Sequence, residues 1–120
     1  MAKGKITEKT HNKIVEEYSY RVIWSPEDDE HVGLCAEFPS LSWLAPSQVE
    51  ALKGVVKLVG EVVRDMQQAG EVVPTPISKR TYSGQFKVRI PPFLHRQLVL
   101  EAEENHVSLN RFISAKLASG

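Results

Sequence analysis

The stretch "SGQFKVRIP", Ser83 to Pro91, decides how the end of the chain is read. As a strand it puts Phe86, Val88 and Ile90 on one face and Gln85, Lys87 and Arg89 on the other, because side chains alternate along an extended backbone. Pro91-Pro92 forbids further strand and sets up a helix start. Leu94, Leu98 and Ala102 then share one helical face, which runs out at Asn105-His106. Ser108 is the next N-cap, followed by Leu109, Phe112, Ile113 and Leu117 at helical spacing. One strand and two short helices bury too little apolar surface alone, and a lone strand leaves its amides and carbonyls unpaired. Pairing with the same strand of a second chain solves both problems. Two-fold symmetry makes that ribbon antiparallel, over a dimer core of Phe86, Val88, Ile90, Leu94, Leu98, Phe112 and Ile113.

The other face of such a ribbon gathers two copies each of Gln85, Lys87 and Arg89. A two-stranded ribbon fits the DNA major groove, where Arg or Lys suits guanine and Gln suits adenine. "QFKVRIP", the helix end "AEEN" and "VSLNRFI" together resemble the ribbon-helix-helix repressors over residues 85–119. The resemblance implies base contacts by Gln85, Lys87 and Arg89. It also implies a phosphate held by backbone amides at Ser108, Leu109 and Asn110, where a helix N-terminus favours anions. Lys79 and Arg80, on the approach to the ribbon, are expected to add phosphate contacts. The plainer alternative is that the strand's charges only guard an exposed edge.

The 120 residues, 42 % apolar and 25 % charged, suit one ordinary globular domain or two very small ones. No apolar run approaches the ~20 residues that span a bilayer, and the polar start lacks a signal-peptide core. The single Cys35 lies in an apolar run and reads as a small buried hydrophobe in a reducing cytoplasm. The net charge of zero hides an asymmetry. Residues 19–70 hold four basic residues (Arg21, Lys53, Lys57, Arg64) against eight acidic ones, a net of −4. Residues 79–96 hold five basic residues (Lys79, Arg80, Lys87, Arg89, Arg96) and no acid. Two partners of different character are expected.

Residues 1–17 read as a flexible tail. Tyr18, Tyr20, Val22 and Trp24 alternate as a strand, "SPEDDE" turns, and Val32, Leu34, Ala36 and Phe38 alternate as its hairpin partner. Leu41 and Trp43 mark a short third strand. Ser47 with Glu50 is a capping box, and Leu52, Val55, Val56, Val59, Val62, Val63 and Met66 form the apolar stripe of a long helix that stops at Gly70. The fold class is α+β: a small antiparallel sheet under one long helix in residues 18–73, a Pro-containing linker at 74–84, and the ribbon module at 85–120. Trp24 and Trp43 are assigned to the core.

This order of parts is similar to HicB-family antitoxins. The carrying stretches are "YSYRVIWSPEDDEHVGLCAEFPSLS", "SQVEAL", "VVPTP" and "VRIPPFLHRQL…SLNRFISAKLA", although Ala45-Pro46 stands where the family often has a Gly-Asp pair. The resemblance implies a degenerate, partial ribonuclease-H-like first domain that neutralises a small basic HicA-type RNA-cleaving toxin. It also implies repression of the protein's own operon, a homodimer, and no cofactor; two small domains per chain suit a dimer of dimers. Catalysis is not expected, since Glu37 is the one carboxylate inside the strands and two-metal nuclease chemistry needs several that converge. His11, His31, His95 and His106 show no metal-ligand spacing. The competing reading is a stand-alone ribbon-helix-helix regulator whose first domain oligomerises or binds a small ligand.

Overall fold

The computed structural model of the chain describes residues 8–120. They divide into two units that meet between Thr81 and Tyr82. The first contains α1 (Glu8–Glu17), β1 (Tyr20–Ser25), β2 (Glu30–Cys35), β3 (Ser42–Ala45) and α2 (Gln48–Gln68), and ends in a 3-10 turn at Ile77–Lys79. The second contains α3 (Pro92–Glu104) and α4 (Leu109–Ser119).

The α+β class expected for the first unit is present as an antiparallel sheet of order β1-β2-β3. The hairpin registers Tyr20 against Cys35 and Ser25 against Glu30, and β3 continues with Gly33 against Trp43. The capping box forms as the sequence predicts. Ser47 Oγ accepts from the Glu50 amide at 3.1 Å and donates to the Glu50 carboxylate at 3.2 Å. Gly70 ends the helical segment with a φ of 75°, a left-handed conformation that glycine adopts without steric cost.

The helix stripe is rotated slightly from the expected one. Ala51, Val55, Val59 and Val63, each four residues apart, are fully buried, whereas Leu52 is 43 % exposed. The reason is close approach. Gly33 of β2 lies directly beneath the helix, where an added Cβ would meet the Ala51 carbonyl and the Val55 side chain. Because Gly33 faces α2, alternation points Val32 and Leu34 to the opposite face of the sheet. The alternating run Val32, Leu34, Ala36 and Phe38 does pair with β1 as a hairpin, but its β2 residues turn away from the helix. Only Phe38 reaches the core, past the end of β2, edge-on to Tyr18 at 5.3 Å between ring centroids. The assignment of Trp24 and Trp43 to the core is corrected, at 50 % and 44 % exposed, although Trp43 lies on Gly54 of α2.

The tail expected over residues 1–17 is also corrected where it is described. Residues 8–17 are helical, and Val15 is buried with Ile14 packed beside it against the core. Few apolar residues mark that helix in the sequence, and its order comes from packing on α2. Tyr20 holds its end by donating its hydroxyl proton to the Val15 carbonyl at 2.7 Å. Residues 1–7, the rest of the expected tail, lie outside the described residues.

The segment expected as a linker at 74–84 begins as a strap on the first unit. Tyr18 donates to the Pro74 carbonyl at 2.8 Å, Pro76 is buried, and the Ile77 amide donates to Glu37 Oε2 at 2.9 Å. Lys79 pairs with Glu17 at 3.0 Å. Glu37, 7 % exposed, also accepts from the Ser19 amide at 2.9 Å, the Ser19 hydroxyl at 3.1 Å and, at 3.5 Å, the Cys35 thiol. Burial pushes the Cys35 thiol up, so it stays protonated as an inert core side chain, and burial likewise holds Tyr18 neutral, its pKa pushed up to about 12.

Burial alone would raise the Glu37 carboxyl, but the amides of Ile77 and Ser19 favour its charged form more strongly, so its pKa lies below the usual 4.5. A depressed native pKa contributes stability above the unfolded value, and that contribution is lost as pH falls through the native value. Glu37→Gln should therefore destabilise the chain by about 1–3 kcal/mol at neutral pH. The difference from wild type should shrink below pH 4.5 in urea titrations, and the Ile77 amide should exchange faster with deuterium at neutral pH.

Candidate nucleic-acid interface

Segment 85–90 opens at Gly84, whose φ of 84° only glycine adopts easily. Ser83, just before the glycine, spans the turn by accepting from the Gln85 amide at 3.1 Å. Within one chain, and among the described residues, 85–90 forms no strand ladder. Gln85, Lys87 and Arg89 are exposed, and so are Phe86 at 76 % and Val88 at 63 %; Ile90 is half-buried.

Two helices follow the segment. Pro91 supplies the carbonyl for the Leu94 and His95 amides, so α3 starts without a side-chain cap, with Pro92 at its first position. The α3 terminus closes as a Schellman turn. The Val107 amide donates to the Ala102 carbonyl at 3.1 Å and the His106 amide to the Glu103 carbonyl at 3.1 Å, with His106 left-handed at a φ of 57°. Ser108 then caps α4 by accepting from the Arg111 amide at 3.1 Å. Leu94, Leu98, Leu109, Phe112 and Ile113 are half-buried around Ala102, the one fully buried hydrophobic side chain described in the unit. Phe93, Leu100 and Leu117 remain 72 %, 58 % and 65 % exposed. So much uncovered apolar surface leaves this unit with an unfinished core.

The expected site residues thus fall into two groups. Gln85, Lys87, Arg89, Ser108, Leu109 and Asn110 all belong to the second unit, on the open segment and at the start of α4. Lys79 and Arg80 belong to the first, and both are engaged there. Lys79 holds Glu17, and Arg80 Nε donates to the Thr75 carbonyl at 3.0 Å. A phosphate would have to compete with these partners. Sequence reasoning missed this strap, and its signal was Glu37, a lone carboxylate in an apolar run. Among the described residues no cluster of His, Cys, Asp or Glu could hold a metal ion, and no helix is long and apolar enough to cross a membrane.

Residues 70–117 match the family model of the HicB family. The match supports a HicB-family protein. It runs from the end of the α2 segment through the strap, segment 85–90, α3 and most of α4, which is 48 residues of the 120 counting both ends. HicB is an antitoxin family, so the match points to a toxin–antitoxin role and a toxin partner. No curated protein and no solved structure matches the chain.

The left-handed His106 gives a stability test of this unit. An L-residue in that conformation costs about 1–2 kcal/mol, which glycine relieves in part. His106→Gly should stabilise the chain by about 1 kcal/mol, read from urea unfolding at one fixed protein concentration.

Proposed function

We propose that this chain is the antitoxin of a type II toxin–antitoxin pair. Its first unit, a partial ribonuclease-H-like domain, binds and neutralises a HicA-type RNA-cleaving toxin. Its second unit is a ribbon-helix-helix module that dimerises through segment 85–90 and represses its own operon. The observation that carries the reading is the HicB match over a segment whose backbone is unladdered and whose Phe86 and Val88 stand exposed. A second copy of the same segment would satisfy the backbone and cover the apolar row in one step. The free face of the ribbon would then carry Gln85, Lys87 and Arg89 into the major groove, with Ser108, Leu109 and Asn110 seating a phosphate at the α4 N-terminus.

Proline at Val88 removes a ladder amide and forces a ring between the strands. Val88→Pro should lose the dimer in sedimentation and lose operator binding with it. A variant that stays dimeric and binds operator normally rules out the ribbon. Base contact and edge protection are separated by Arg89→Ala. Loss of a base contact costs about 1–3 kcal/mol on the cognate operator and blurs sequence preference, whereas a guard residue or phosphate contact weakens cognate and random DNA alike.

The two activities should also separate along the chain. Lys87→Ala with Arg89→Ala should abolish operator binding while still protecting cells that express the toxin. Toxicity in the presence of the double variant at normal abundance would show that the second unit takes part in neutralisation.

A further inference from the structure

The most regular apolar row of β2 faces away from its own core. Val32 and Leu34 lie on the side of the sheet opposite α2, and the register sets Val32 between Ile23 and Leu44. Leu34 sits between Arg21 and Ser42 one step along. Ile23 and Leu44 are each 44 % exposed, and Val32 and Leu34 are half-buried among them. An antiparallel sheet with one wet face ordinarily turns polar residues outward. Here the wet face holds four contiguous aliphatic side chains, while the helix-facing row of β2 is His31, Gly33 and Cys35. A patch of this kind, rimmed by polar residues, marks a protein-binding surface.

Charge says what kind of protein. The β1–β2 turn at one end of the patch carries Glu27, Asp28 and Asp29, all exposed, and Glu30 follows at the base of β2. The turn is ordered: Ser25 Oγ donates to Asp28 at 2.8 Å, and Asp29 is left-handed with a φ of 53°. Arg21 is the one cation among the sheet strands, at the far end of the patch. An apolar centre with an acidic end fits a partner with an apolar patch beside basic residues. A protein that binds RNA must carry such residues to hold phosphates.

Resting on the antitoxin reading above, we propose that this open sheet face and its acidic turn are the docking surface for the RNA-cleaving toxin. Ile23, Val32, Leu34 and Leu44 form the dry centre of the contact. The turn carboxylates take the cationic side chains that otherwise hold RNA, so docking and RNA binding exclude each other. Neutralisation then needs no catalytic chemistry from this chain.

The test uses the full chain, the HicA-type toxin of the same operon and a labelled RNA that it cuts. Ile23→Glu with Leu44→Glu should weaken toxin binding about 30-fold or more, as loss of a central contact does, and release RNA cleavage. Operator binding and the melting curve should be unchanged, since both side chains lie outside the core. Ile23→Ser and Leu44→Ser singly give the same direction with less risk to folding. Asp28→Asn with Asp29→Asn should weaken binding at low salt and converge on wild type at high salt. Wild-type toxin affinity in the aliphatic variants overturns the site and leaves the antitoxin reading standing. A changed oligomeric state with wild-type toxin affinity overturns it in favour of a second copy on this face. A wild-type chain that leaves RNA cleavage untouched overturns both.

Discussion

The first unit depends on how closely α2 approaches β2. A helix laid on a sheet ordinarily needs room for a layer of side chains, but here Gly33 brings the Ala51 carbonyl and Val55 almost onto the strand backbone. That closeness seals Val55, Val59 and Val63 completely with a helix of modest, β-branched side chains. It also dictates the neighbours. Only His31, Gly33 and Cys35 share the helix-facing row of β2, so the larger aliphatic residues of the strand take the other face. The interior is economical and the exterior is unusually apolar for one and the same reason.

The second constraint is the Glu37 carboxylate. A buried charge is tolerated only when its lone pairs are occupied, and this one draws donors from Ser19, Cys35 and Ile77. Those residues precede β1, end β2 and follow α2, so one side chain ties three distant points of the chain. With Tyr18 and Glu17 it converts a proline-rich connection into part of the first unit. The unit therefore extends to Thr81, and the second begins at Tyr82.

Local chemistry was legible in the sequence; parity and long-range partners were not. The Ser47–Glu50 box, the Gly70 stop, the Pro91-Pro92 start and the Ser108 cap each act within a few residues, and each is found where the spacing puts it. The facing of Val32 and Leu34 depends on Gly33 meeting a helix some twenty residues on, which alternation cannot reveal. Helix α1 has too few apolar residues to announce itself, and the partners of Glu37 lie 18 and 40 residues away. In the candidate interface, the helices were readable from their caps. The role of Gln85, Lys87 and Arg89 was readable only as alternation, because a ribbon is a property of two chains.

The strap also governs where this chain tolerates a change of length. Pro74, Ile77 and Lys79 are fixed points within six residues, each held by a different side chain of the folded unit. An inserted or deleted residue among them throws the later anchors out of step and strands a charge in the interior. Residues 82–84 are exposed, contain a glycine already in a left-handed bend, and lie past the last of these anchors. Insertions belong there, as does the seam at which the two halves could be exchanged between chains or joined to other proteins.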